Sequence, residues 1–157
     1  MNLFALNLLL AVAWALATGS LSERNLVLGF VVGLVVLHLV GSAVGDARYA
    51  VRLWRWLTLL ATFLKELLVS SVRVAFSVVT PRLTMKPAVI AVPLDVTSDV
   101  EITLLANLIS LTPGTLTIDV AADRSCLYVH AMYGGDPEQL AREIKDTFER
   151  RIREALR

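Results

Sequence analysis

LLANLISLTPGTLTID, residues 104–119, carries no charge until its last residue and looks at first like a membrane span. A span needs at least about 17 apolar helical residues, and Pro113-Gly114 interrupts the run. Only residues 102–112 precede the break. Beyond it, Leu116, Ile118 and Val120 alternate with Thr115, Thr117 and Asp119, the period-two pattern of a strand. The stretch therefore reads as a greasy helix followed by a strand, inside a folded lobe rather than across a bilayer.

The flanks extend that lobe. Upstream, AVIAVPL at residues 88–94 reads as a buried strand, with Pro93 at an edge or strand end. Ser98-Asp99-Val100-Glu101 is a capping-box pattern that starts the greasy helix, whose apolar positions are Ile102, Leu105 and Ile109. Downstream, Asp123-Arg124-Ser125 forms a turn, and CLYVHAM at residues 126–132 makes the second arm of a hairpin. Gly134 and Gly135 end it. Asp136 caps a last helix with Pro137 in its first position, where a missing N–H costs nothing. Leu140, Ile144, Phe148 and Ile152 form that helix's apolar stripe. The order β-α-β-β-α over residues 86–157 is a small two-layer α/β domain.

The rest of the chain is unlike this lobe. Of 157 residues, 56% are hydrophobic, above the roughly 45–50% of soluble domains. Residues 1–80 carry nine charged side chains and residues 81–157 carry twenty. Residues 1–22 have none, and residues 25–45 lack Asp, Glu, Lys and Arg. Each run meets the ~20-residue length of a span, and SLSERN between them allows only a tight antiparallel hairpin over residues 1–45. The first run lacks the basic start of a cleaved signal, and a second span follows at once. Gly29, Gly33, Gly41 and Gly45, with Leu37 between them, recur at every fourth position, and Ala11, Ala15 and Gly19 do the same in the first run. Small residues let helices approach closely in lipid, either within the hairpin or against another protein. Arg48, Arg52 and Arg55 follow the second run, so the positive-inside rule puts the N-terminus and the lobe in the cytoplasm.

Residues 46–80 form a long amphipathic helix. Arg48, Arg52, Arg55, Thr62, Glu66, Ser70, Arg73 and Ser77 share one face. A helix lying at the cytoplasmic interface, with Trp54 and Trp56 at headgroup level, accounts for the pattern; a third span with its charged stripe buried against partners is the other reading. Pro81 ends the helix. His38, the ionisable group inside the two apolar runs, and the adjacent Lys65 and Glu66 are the candidates for a membrane-embedded polar role.

Several functions are excluded. A net charge of +1 with no basic-aromatic patch argues against nucleic acid. One cysteine, Cys126, forbids an internal disulfide. There is no Cys/His metal spacing, no phosphate-binding glycine loop and no nucleophile elbow, so neither a cofactor nor a small-molecule substrate of this chain alone is expected. Cys126, His130 and Asp119 have the residue types of a nucleophile, base and orienter, but strand neighbours pointing into a core are the commoner explanation, and the chain does not read as an enzyme.

LLANLISLTPGTLTIDV, followed by LYVHAM and a charged helix containing FERRI, resembles the E-type subunits of the multisubunit Na+/H+ antiporters of the Mrp/Mnh type. The likeness runs over nearly the whole chain, and Asn107, Ser110, Thr112, Pro113, Gly114 and Thr115 match the family pattern. It implies a bacterial inner-membrane complex of several different subunits that exchanges cytoplasmic Na+ for external protons, with the ion paths carried by larger subunits. The resemblance assigns no catalytic step to the motif. The expected role is an accessory one, in assembly or stability of the complex. A membrane-tethered binding or sensor module outside any transporter is the alternative.

Overall fold

The uncharged N-terminal sequence folds as two antiparallel helices, α1 (Leu3–Ala17) and α2 (Glu23–Val44). The structure, a computed structural model, describes residues 3–44, 49–80 and 85–156. Its chain divides into two compact units, Met1–Trp54 and Arg55–Arg157.

In the first unit a glycine sets where α1 stops. Gly19 takes φ +70°, open to glycine at little cost. The Ser20 N–H then donates to the Ala15 carbonyl and the Gly19 N–H to the Leu16 carbonyl, both at 3.1 Å, which is a Schellman stop. The 15 residues of α1 rise only about 22 Å against a hydrocarbon core of about 30 Å. The uncharged run 1–22 is thus longer than the helix it makes. Asn25 holds the connecting turn: its amide donates to the Ser20 carbonyl at 2.7 Å and to the Thr18 hydroxyl. Among the described residues one helix, α2, is long and apolar enough to cross a membrane. The long helix α3 spans Tyr49–Val79; Arg48 and Pro81 lie outside the described residues.

The second unit contains β1 (Ala88–Pro93), α4 (Asp99–Leu111), β2 (Thr115–Val120), β3 (Cys126–Ala131), α5 (Pro137–Ile144), a π-helical turn (Lys145–Glu149) and α6 (Arg150–Leu156). The antiparallel sheet has the order β1-β3-β2, with Ala88 opposite Ala131 and Thr115 opposite that same residue. One sheet face carries Ile90, Val92, Leu127, Val129 and Ala131 into a core closed by Ile102, Leu105 and Ile109 of α4 and by Ile144, Phe148 and Ile152. Leu59 and Phe63 of α3 join this core.

Three details were not given by the sequence reading. β1 alternates buried and exposed residues instead of being buried on both faces, with Val89 turned outward. In β2 the apolar pair Leu116 and Ile118 faces outward and the threonines face α4, because Thr115 and Thr117 donate to the α4 carbonyls of Ile109 (2.7 Å) and Ala106 (3.2 Å). A bulge at Ile118 then restores Val120 to the core side. The last helix is interrupted by the π turn, which buries Glu149 beside Phe148.

Candidate functional site

Two places gather the residues that the sequence singles out. The first is the hairpin interior. Leu3, Asn7, Ala11 and Ala15 are the buried positions of α1, one per turn, and they meet buried Gly29, Gly33 and Leu37 of α2. A Cβ at Gly29 would stand 2.9 Å from the Ala11 carbonyl oxygen and 2.9 Å from Trp14 Cβ; one at Gly33 would stand 2.2 Å from Asn7 Oδ1. The glycines are therefore contact points of the hairpin itself. Gly41 lies further along α2, and Gly45 is outside the described residues.

Asn7 was not among the sequence candidates. Fully buried, it donates from Nδ2 to the Tyr49 hydroxyl at 3.1 Å, while Oδ1 has no hydrogen-bond partner among the described residues. An asparagine inside an uncharged helix was the available signal, masked because asparagine adds no charge. His38, by contrast, is exposed on α2 and is not part of the hairpin interior.

The second place is a cleft of about 590 Å3 in the Arg55–Arg157 unit, between α3, the turn after α4, and α5. Its walls include Glu66, Ser70 and Arg73 of α3, the turn Thr112-Pro113-Gly114-Thr115, Tyr133, and Glu143 of α5. The turn is shaped by its own hydroxyls. Thr112 Oγ1 donates to the Leu108 carbonyl at 2.8 Å, and Thr115 Oγ1 donates to that of Ile109, so two of α4's last four carbonyls find side-chain donors within the turn. Gly114 has φ +92°, and its carbonyl accepts the Met132 N–H at 2.8 Å. Ser110 Oγ accepts the Thr117 N–H at 3.1 Å, and Asn107 is exposed on α4. The family-pattern residues thus make a helix-to-strand junction whose turn lines the cleft.

Across the cleft, the Arg73 guanidinium lies 5.8 Å from the Tyr133 ring centre, and the Tyr133 hydroxyl bonds that of Ser77. Glu66 is partly buried and pairs with exposed Lys65 at 3.5 Å. That separation in water-accessible surroundings makes a weak pair.

Elsewhere in the lobe, Glu149 is nearly sealed off. Its Oε1 accepts the N–H of Asp95 at 2.6 Å and of Val96 at 3.0 Å. Lys145 donates to Asp95 at 2.8 Å, holding that carboxyl below its ordinary 3.8. Cys126 and His130 share the outward face of β3 four residues apart. That places them about 13 Å apart along the strand, beyond proton-transfer reach, and Asp119 sits opposite Tyr128 between them. Among the described residues, no group of three His, Cys, Asp or Glu side chains is arranged to hold a metal ion.

The fold defines a class of chain that carries an apolar helical hairpin and a small α/β lobe. Residues 7–155 match the MNHE family, described as a Na+/H+ ion antiporter subunit. The E-type antiporter subunit of Alkalihalophilus pseudofirmus is 37% identical over 97% of this chain and 96% of its own length, and that of Bacillus subtilis is 36% identical with the same coverage. A chain in the structure of the Mrp complex from a Dietzia species is 30% identical with a TM-score of 0.50, covering 62% of this chain and 92% of that one. A chain of an archaeal membrane-bound sulfane sulfur reductase shares the fold, with 22% identity, a TM-score of 0.54 and 96% coverage of both. The chain belongs to the family of E-type Na+/H+ antiporter subunits.

Proposed function

We propose that this chain is an accessory subunit of a multisubunit Na+/H+ antiporter in the bacterial cell membrane, needed for assembly or stability of the complex rather than forming the ion path. The observation that carries this reading is the match to E-type antiporter subunits over nearly the full length of both partners. A likeness confined to the lobe would fit a tethered sensor as well; a likeness that includes the hairpin ties the membrane part to the same family.

On this reading residues 1–45 are a two-span anchor, residues 46–80 a membrane-associated helix, and residues 86–157 a cytoplasmic domain. The N-terminus is cytoplasmic as well, from the arginines at 48, 52 and 55. The hairpin supports a packing role because its helices meet at close quarters at Gly29 and Gly33. The partners are the other membrane subunits and the bilayer.

The test is deletion of this subunit from an otherwise complete operon, with native gels for assembly and everted vesicles for Na+-driven proton movement. The expected result is loss of the assembled complex together with its activity. A fully assembled, fully active antiporter without this chain overturns the proposal. His38→Ala and Glu66→Gln, made in the complete complex, are expected to leave antiport intact where assembly is intact. Purification in mild detergent separates the tethered module, which would run as a monomer or homodimer, from a subunit that brings other hydrophobic chains with it.

A further inference from the structure

Two faces of α3 have opposite fates. The polar face is met at several points by the chain's own lobe. Arg55 Nη1 donates to the Glu154 carbonyl at 2.8 Å near one end, Leu59 and Phe63 enter the lobe core, Arg73 lies on the Tyr133 ring, and Ser77 bonds Tyr133 near the other end. The opposite face carries Leu57, Leu60, Leu64, Leu68, Val72, Phe76 and Val79 at spacings of three and four, every one exposed, from 46% for Leu64 to 82% for Val79. Trp54, one turn earlier, is exposed as well. Lys65 stands at the margin of this stripe, 74% exposed, where a long side chain can bury its stem and lift its charge out of lipid.

These contacts bear directly on the two readings of residues 46–80. From Arg55 to Ser77 the helix rises about 33 Å, as much as the ~30 Å of a hydrocarbon core. Near both ends of that length, at Arg55 and Ser77, the helix is bonded to a lobe whose three-stranded sheet has two free edges. Unpaired strand edges cannot enter hydrocarbon, where their N–H and C=O groups find no partner. A crossing by α3 would carry the lobe in with it.

We infer that α3 lies in the plane of the membrane surface, with the stripe from Leu57 to Val79 sunk into lipid and the α/β lobe seated on its other side. The occupant of the stripe is the bilayer because the same chain supplies an apolar helix long enough to span it, α2 ending at Val44 and α3 starting at Tyr49. A stripe this long bounded by charged and aromatic side chains is the pattern of an interfacial helix. On the polar face the lobe supplies partners to Arg55, Arg73 and Ser77, and Glu66 and Ser70 face the cleft. The inference rests on the membrane attachment proposed above and not on membership of the complex.

Site-directed spin labelling tests it. In a Cys126→Ser background, single cysteines replace Leu57, Leu60, Leu64, Leu68, Val72 and Phe76, and the assembled complex is reconstituted in phosphatidylethanolamine–phosphatidylglycerol vesicles. Accessibility to oxygen and to a water-soluble nickel chelate gives the depth of each label. The expected result is high oxygen and low nickel accessibility at all six, at one common depth of about 5–10 Å. A depth that changes by about 6 Å every four residues along the helix means a span and overturns the inference. High nickel accessibility means a water-facing stripe, and low accessibility to both reagents means a stripe covered by protein; either also overturns it. The same measurement on the full chain alone in vesicles distinguishes failure of complex assembly from failure of the in-plane placement.

Discussion

Replacing Gly29 and Gly33 by alanine tests how the hairpin is held, because the two glycines face different obstacles. At Gly29 a methyl would stand 2.9 Å from a backbone oxygen of Ala11, 2.9 Å from Trp14 Cβ and 3.0 Å from Ala11 Cα. Carbon contacts prefer about 3.5–4.0 Å, and backbone cannot step aside, so the helices must separate. At Gly33 the methyl meets the Asn7 amide oxygen at 2.2 Å, with Leu10 Cβ no closer than 3.4 Å. There the amide must swing away and give up its bond to Tyr49. Overpacking costs about 1–3 kcal/mol, and alanine recovers up to about 1 kcal/mol of helix propensity. Each single variant should therefore lose about 1–2 kcal/mol. In an Asn7→Ala background the obstacle at Gly33 is gone, and Gly33→Ala becomes neutral or stabilising, giving a coupling energy of about 1–3 kcal/mol. Gly29→Ala keeps its full cost there, coupling to Asn7→Ala by less than about 0.5 kcal/mol. The assay is reversible unfolding of the full chain in mixed micelles by added dodecyl sulfate, followed by Trp14 fluorescence with Trp54 and Trp56 changed to phenylalanine. Equal costs for Gly33→Ala with and without Asn7, or rescue of Gly29→Ala by Asn7→Ala, would refute this packing.

Three further outcomes concern the lobe, each read by unfolding of the full chain in detergent. Glu149→Ala should destabilise it by about 1.5–3 kcal/mol, since hydrogen bonds to a charged group are worth that much and two backbone N–H groups lose their acceptor; Glu149→Gln, which keeps an acceptor, should cost less. Gly114→Ala should cost about 1–2 kcal/mol through the left-handed backbone at φ +92° rather than through a clash, because Tyr133 stays 3.7 Å away. Asp95 is held below its ordinary value of 3.8, first by the Lys145 hydrogen bond; its contribution is therefore complete above that value and lost as pH falls through the lower, folded value. Being half-exposed, the pair is worth at most about 1 kcal/mol, and Asp95→Asn should remove that part of the lobe's acid sensitivity while leaving any other titration in place.

What could be read in the sequence was local. Ser98 caps α4 with the reciprocal bond from Glu101, Asp136 and Pro137 open α5, and Pro113-Gly114 turns helix into strand, each within a few residues of chain. Periodicity located the faces of α3 but not what covers them. The polar stripe looked ready for water, yet it is the lobe, through Tyr133 and the Glu154 carbonyl, that meets it. In β2 the alternation marked a strand but not which face turns inward; the α4 carbonyls, a tertiary demand, draw the threonines in. The π turn at Lys145–Glu149 answers the need of Asp95 and Val96 for an acceptor, a need set some fifty residues upstream and absent from the helical pattern. Among the small residues whose spacing stood out, Gly29 and Gly33 lie where the two hairpin helices approach, as close helix packing favours. The cleft was not legible, since Glu66, Gly114 and Glu143 come together only through the tertiary fold.

The polar inventory of the hairpin is what makes an accessory role the physically economical reading. Moving a proton or a cation through a bilayer requires several polar groups embedded in sequence, each within reach of the next. The buried polar side chain of the described hairpin helices is Asn7, whose amide does not titrate. Its hydrogen-bond partner is the Tyr49 hydroxyl, and Gly33 closes directly over Asn7 Oδ1. His38 faces away from this interior, and Glu66 belongs to the cleft of the other unit. Among the described residues, the interior of the hairpin is a packing contact between helices built on Asn7, Gly29 and Gly33. The proposed accessory role accords with such an interior, in which the helices approach at a separation that glycine permits at Gly29 and Gly33.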